Sequence, residues 1–346
     1  MSRTGKKGVL LINLGTPDAP TRGAVYRYLK QFLTDWRVID FPWIPRQLLV
    51  RGIIAPFRSG SSAKLYQRLW TQDGSPIKIY GYKVKEKVQV ALGQDYVVEL
   101  GMRYQNPSIV SALNRLLEAR VKEIIVFPMF AQYASATTGS VHDEVMRLLR
   151  NVQTIPSIRM ISSYHDHPMM LNVFVDNARQ FDLNSYDHIL FSFHGIPESQ
   201  LRKGDTCGHC LQSPDCCQQL SDRNQLCYSA QCHSTAFKIA DKLGLDESRF
   251  TVCFQSRLGP TAWVKPYTID TIRHQREKGA KRLLVFSPAF VADCLETIIE
   301  IGYEYQEEFE QMGGENIDLV PSLNDHPGWI DCITDIVKGE GVTYSK

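Results

Sequence analysis

The sequence predicts an α/β protein made of two similar halves, each a parallel sheet flanked by helices. Two observations carry that expectation. Short apolar runs alternate with amphipathic segments: Val9–Leu14 reads as a strand, Gly23–Leu33 as a helix, Tyr96–Leu100 as a strand, Ile109–Arg120 as a helix, Ile124–Phe130 as a strand and Val141–Arg150 as a helix. Strands alternating with helices build parallel sheets covered on both faces. The chain also repeats itself. Val121–Phe130 resembles Ala280–Phe290, Leu11–Pro17 resembles Phe191–Pro197, and Asp166-His167-Pro168 recurs 159 residues later as Asp325-His326-Pro327. Self-similarity of this kind marks a duplicated unit. The expected architecture is two Rossmann-like halves, residues 1–165 and 166–346, with a cleft between them. The Asp-His-Pro turns suit strand-to-helix junctions with Asp as the N-cap.

Bulk properties narrow the function. The chain has 346 residues, 43% hydrophobic and 22% charged, with a net charge of +2. That balance is globular and gives no reason to expect nucleic acid as a partner. The basic start, Met1–Gly8, runs straight into an apolar stretch too short for a signal sequence or a spanning helix, so a cytoplasmic protein is expected. Nine cysteines are present, and six of them lie between Cys207 and Cys232. In a reducing compartment such clustering points to metal rather than to disulfides.

Three segments are candidates for chemistry. The run His188–Phe193 reads as a buried strand that ends on His194 and is broken by Gly195 and Pro197. Ligands of open α/β sheets bind beyond the carboxyl ends of strands, so His194 is either a base or ligand there, or a histidine merely hydrogen-bonded at a strand end. In the second half, Asp293, Glu296, Glu300 and Glu304 are spaced three, four and four residues apart. On a helix they form one acidic stripe, suited to a divalent cation or to proton traffic; a solvated helix face is the alternative. Finally, Phe41–Phe57 is apolar but interrupted by prolines and arginines. It is either a helix packed on the core or an exposed lip for a membrane surface or a greasy ligand.

The motifs, taken in order, resemble the ferrochelatases, which insert ferrous iron into a porphyrin. The resemblance spans nearly the whole chain. It includes Asn13–Pro20, Gly74–Ile77, Gly101–Tyr104, Gln132-Tyr133 with Thr137–Ser140, Ser192–Pro197, Lys203–Asp205, Gln255–Pro260 and Leu295–Thr297. It implies a chelatase-like fold, protoporphyrin IX and Fe2+ as substrates, and protohaem with two released protons as products. It assigns His194 as the active-site histidine that accepts pyrrole protons or binds the metal, and Glu296 as the carboxylate across the pocket. Asp293, Glu300 and Glu304 become an acidic proton or metal path. Leu14, Arg58, Tyr66, Ser75, Arg103 and Tyr104 become porphyrin contacts, and residues 41–57 become the mouth of the porphyrin site, with peripheral contact to the inner membrane. The residue types suit the reaction. A neutral imidazole is a fitting base near pH 7, and carboxylates with imidazole hold ferrous iron weakly enough to release it. The resemblance leaves the monomer or homodimer question open. Runner-up readings are a cobalt or nickel chelatase of another tetrapyrrole, and an iron or redox sensor on a chelatase fold.

One departure from the family pattern is informative. In ordinary members a tyrosine follows Gly-Asp almost at once. Here residues 206–227 separate Asp205 from Tyr228. This insert carries Cys207, Cys210, Cys216, Cys217 and Cys227. Resemblance to bacterial members with an internal cysteine-rich segment implies a [2Fe–2S] cluster held by four cysteines: Cys207, Cys210, Cys217 and Cys227, with Cys216 as the alternative. Structural zinc is the rival cofactor, because His209 and the short cysteine spacing also suit it. The cluster is expected to stabilise or sense, with metal insertion left to His194 and Glu296.

Overall fold

A computed structural model describes residues 5–213, 215–259 and 261–339. The chain divides into two compact units. Among the described residues, the first comprises 5–130, 135–162 and 329–339, and the second 131–134 and 163–328.

In the first unit, strands β1 (Lys7–Gly15), β2 (Tyr96–Tyr104), β3 (Glu123–Pro128) and β4 (Ser157–Met160) form a parallel sheet in the order β2-β1-β3-β4. Between β1 and β2 run the helices α1 (Arg22–Leu33), α2 (Trp43–Leu49), α3 (Ala55–Leu69) and α4 (Pro76–Leu92), with a π-helical turn at Val50–Ile54. Helix α5 (Ile109–Glu118) follows β2, and α6 (Ser140–Leu149) follows β3 through a π-helical segment at Ser135–Gly139. Helix α5 shows why the sequence folds this way. Ser108 caps its start by accepting the Ser111 amide, while Ile109, Ala112, Leu113 and Leu116 repeat at helical spacing and are all buried. That stripe packs on Leu10, Ile12, Ile124 and Val126 of the sheet, with Val141, Val145 and Leu149 of α6.

The second unit holds α7 (Pro168–Ala178), β5 (His188–His194), α8 (Glu198–Gly204), α9 (Tyr228–Lys242), β6 (Phe250–Gln255), α10 (Thr268–Glu277), β7 (Arg282–Phe286), a π-helix at Leu295–Tyr305, α11 (Gln306–Gln311) and β8 (Asn316–Leu319). Its parallel sheet has the order β6-β5-β7-β8, the same as in the first unit. A π-helical segment follows the third strand of each sheet. The duplication read from the sequence is thus present strand for strand.

Two expectations need correction. Helix α12 (Pro327–Lys338) was expected in the second half, yet from Trp329 onward it belongs to the first unit. Trp329 is fully buried there, its ring 6.1 Å from that of Phe127. Arg159 of β4 donates to the carbonyl oxygens of Ile336 and Val337, satisfying acceptors that a helix C-terminus leaves open. The cap of α7 also differs. His167 is the N-cap, with Pro168 in the first turn, while Asp166 pairs with Lys238 at 2.7 Å. A proline tolerates the first turn because its missing N–H has no partner there anyway. Among the described residues no helix is long and apolar enough to cross a membrane.

Candidate active site

The second unit presents the clearer site. From β5 the chain moves to β6 on one side and later to β7 on the other. Connections diverge at such a point and leave a crevice beyond the strand's carboxyl end. His194 is the last residue of β5 and is half-buried. Its Nδ1 lies 2.6 Å from the carbonyl oxygen of Gly195. A carbonyl can only accept, so Nδ1 is the donor here, and in the neutral ring Nε2 is the nitrogen that can take a proton or a metal. Trp263 and Phe290 flank the ring at 6.4 and 6.3 Å between centroids. Gly195 is required for this approach: a Cβ there would meet the Gln255 oxygen at 2.9 Å and the Trp263 ring at 3.1 Å.

Gln255 closes β6 and joins the histidine strand to the acidic helix. It pairs with His194 in the ladder, and its carbonyl accepts the Gly195 amide at 2.8 Å. Its buried side chain accepts from the Ser192 hydroxyl at 2.7 Å. The Nε2 atom donates to the Glu296 carbonyl at 2.8 Å and to the Glu300 carboxylate at 3.1 Å.

The acidic residues do not form the single α-helical stripe expected from their spacing. Leu295–Tyr305 is a π-helix, and Asp293 precedes its N-cap, Cys294. Asp293 is tied down by Asn324 Nδ2 at 2.6 Å and by the Ser322 amide at 3.3 Å. Besides Gln255, Glu300 accepts from the Ser256 amide at 2.9 Å, the Ser256 hydroxyl at 2.5 Å and the Tyr305 hydroxyl at 2.8 Å. Burial, reinforced by the Glu300 charge, pushes the Tyr305 hydroxyl well up. Glu296 is half-buried in the first turn; burial, then the Glu296 carboxylate, raises the Cys294 thiol beside it. Glu304 is exposed. Asp293 and Glu300 thus sit in hydrogen-bond networks, and Glu296 stands in the first turn of the π-helix.

The first unit carries the residues matched to porphyrin contacts. Arg103 donates to Asp35 at 2.6 Å and to the Ser140 hydroxyl at 2.7 Å. Tyr104 is fully buried and donates to the same Asp35 oxygen at 2.9 Å; burial first, then that carboxylate, raises its pKa. Tyr66 is buried with its ring edge-on to Tyr28, and Ser75 is buried and accepts from Thr16 at 3.0 Å. Leu14 is half-buried at the end of β1, and Arg58 is exposed on α3. The 41–57 segment presents its large side chains to solvent: Trp43 is 67% exposed, Leu48 69% and Phe57 79%.

The insert brings thiols together. Among the described residues no group of three or more His, Cys, Asp or Glu side chains is arranged to hold a metal ion. Even so, the Sγ atoms of Cys216 and Cys217 lie 3.4 Å apart, and those of Cys217 and Cys227 4.0 Å. Cys227 caps α9; the Cys217 thiol and the Ala230 and Ser229 amides bring its pKa down to about 6. Burial, then the charges of Cys227 and Cys216, pushes Cys210 up to about 11. The Leu211 amide donates to Cys216 sulfur at 3.3 Å. Cys207 is exposed, and its thiol instead faces Asp205 and the Arg223 carbonyl. Clustered sulfurs, one with a lowered pKa at a helix N-terminus, fit a thiolate-bound group in donor chemistry.

Gln255, Asp35 and Tyr228 were not singled out for a role from sequence. A glutamine closing an otherwise apolar strand was the available signal for Gln255. Asp35 offered none, because its partners lie up to 105 residues away.

These features define the class first. In fold the chain is similar to SirB from Bacillus subtilis with Fe3+, with a TM-score of 0.55 at 10% identity over 97% of this chain and 96% of that one. It is equally similar to the sirohydrochlorin chelatase SirB from Bacillus subtilis subspecies spizizenii in complex with cobalt, at 0.54, 10%, 97% and 95%. The fold is thus that of these chelatases. The family model for ferrochelatase matches residues 6–340. A ferrochelatase of Legionella pneumophila (strain Lens) is 43% identical over 332 residues, 96% of this chain and 98% of its own. One of Coxiella burnetii is 42% identical over 342 residues, 98% of this chain and 95% of its own. The chain belongs to the ferrochelatase family.

Proposed function

We propose that the protein inserts ferrous iron into protoporphyrin IX, releasing two protons and forming protohaem. The observation that carries this reading, within the family, is the His194 imidazole held by Gly195 with Nε2 turned over to chemistry. Nε2 takes a pyrrole proton as iron enters, and the Glu296 carboxylate, half-buried beside Cys294, offers the second acceptor and a transient ligand for the incoming cation. Gln255 keeps the two walls in register. In the first unit, the buried Nδ2 of Asn13 has no hydrogen-bond partner among the described residues. A buried donor left open is costly, and a bound porphyrin edge would satisfy it. The exposed apolar lip around Trp43, Leu48 and Phe57 suits both the porphyrin rim and peripheral contact with a membrane.

In this reading the insert holds a [2Fe–2S] cluster. The proposed ligands are Cys207, Cys210, Cys217 and Cys227, with Cys216, whose sulfur lies 3.4 Å from that of Cys217, as the alternative. When bound, the group supplies a redox-responsive centre, and no step of metal insertion passes through it. Iron, zinc and acid-labile sulfide analysis of the purified protein tests it. Zinc without sulfide would replace the cluster with a structural zinc site.

Ferrous insertion into protoporphyrin and coproporphyrin by the purified protein tests the main reading. Turnover with protoporphyrin is expected. No turnover with either porphyrin would overturn it, and a strong preference for another metal and tetrapyrrole would move the protein to the runner-up class.

A further inference from the structure

The cysteine insert ends at Cys227, the N-cap of α9, and the next residue, Tyr228, opens that helix. Tyr228 is buried, and its hydroxyl donates to the carbonyl oxygen of His194 at 2.7 Å. One peptide bond therefore separates a candidate cluster ligand from a hydrogen bond to the residue that bears the candidate base. We propose that Tyr228 is a positioning residue for His194 and couples the cysteine insert to the catalytic imidazole. The inference rests on the reading of His194 and of the insert given above.

The geometry explains how such a contact acts. The peptide unit between His194 and Gly195 is held at both ends. Its N–H donates to the Gln255 carbonyl of β6 at 2.8 Å, and its C=O accepts from Tyr228 of α9. The His194 ring in turn bonds to the carbonyl of Gly195, one peptide unit further on. A tilt of the clamped plane moves that carbonyl and swings the imidazole with it. A displacement of about 1 Å at a reacting atom is costly to rate.

On the far side, Tyr228 is continuous with the thiols. The Cys227 amide donates to the Asn224 carbonyl at 2.8 Å, and Asn224 Nδ2 donates to the Cys216 carbonyl at 3.1 Å. Gln231 of α9 donates back to the Gln225 carbonyl at 2.6 Å, so the end of the insert and the start of the helix form one hydrogen-bonded piece. Cys232, left out of the ligand set, is fully buried one turn along α9 against the Tyr228 hydroxyl.

Tyr228→Phe keeps the ring and removes the donor. We expect kcat to fall about tenfold while KM for porphyrin changes less than about twofold. Iron and sulfide content should match the parent. The imidazole 15N signals of His194, assigned through His194→Ala, should shift. In the Cys227→Ser/Tyr228→Phe pair the losses in kcat should not add, because both act through one contact. An unchanged kcat and unmoved His194 signals would overturn the proposal. So would equal losses in activity, porphyrin affinity and cluster content, which would make Tyr228 a general packing residue. The NMR arm needs no turnover. If the parent protein proves inactive, the proposed function fails on that result alone, while the His194 signals still decide the contact.

Discussion

The side-chain Nε2 of Gln255 donates to the main-chain oxygen of Glu296 at 2.8 Å. Through this contact one buried amide sets the first turn of the π-helix against the strand that ends in His194. Gln255→Leu removes four polar contacts at once, to Ser192, Ser287, Glu296 and Glu300. A loss of about 2–3 kcal/mol is expected in urea denaturation. The accompanying fall in kcat should exceed any change in KM. A variant as stable and active as the parent would rule out this bridging role.

His194→Ala should abolish ferrous insertion. The protein should still fold, and porphyrin binding followed by fluorescence quenching should persist, since the sheet that carries His194 is built from its backbone and not from its ring. Substantial residual turnover would reject His194 as the proton acceptor.

The acidic residues should separate by function. Glu300→Gln replaces a carboxylate that accepts from Gln255, Ser256 and Tyr305. It should cost about 1–3 kcal/mol of stability, the range for hydrogen bonds to a charged group. Glu296→Gln should leave the melting curve nearly unchanged and lower kcat. The reverse pattern would reassign the two.

Asp35→Asn tests the anchor beneath the matched porphyrin residues. The Asp35 side chain is 4% exposed and that of Arg103 14%. Breaking such a pair leaves an uncompensated buried charge, so about 3 kcal/mol of destabilisation is expected. Guanidinium denaturation midpoints of the two proteins provide the measurement.

Stability should also depend on His188. Burial, followed by the Lys278 and Arg249 charges, lowers its pKa from 6.5 to about 4. The unfolded chain then binds more protons between those values. The stabilisation is complete above about pH 6.5 and is lost as pH falls toward 4, at up to about 1.4 kcal/mol per pH unit. His188→Asn should flatten this part of the stability-pH curve. An identical slope in the variant would refute the assignment.

Much of this was legible in the sequence because it depends on local pattern. The apolar run into His194, broken by Gly195, announces a strand end, and the repeated segments announce two matching sheets. The acidic spacing announced a helix but not its pitch. The backbone here is π-helical, and Asp293 falls before the helix begins. Partnerships such as Asp35 with Arg103, or Tyr228 with the His194 carbonyl, join residues 68 and 34 positions apart through the fold. Periodicity carries no information about contacts of that kind.

Helix α12 gives the chain a timing constraint. The first unit includes residues from Trp329 onward, among them the fully buried Trp329 and the carbonyls that Arg159 binds. A ribosome releases the N-terminal strands long before it reaches them, at roughly 5–20 residues per second. The first sheet therefore waits for this packing partner until more than 160 residues after its fourth strand, β4, have been made. A stop codon just before Trp329 would damage the part of the protein made first.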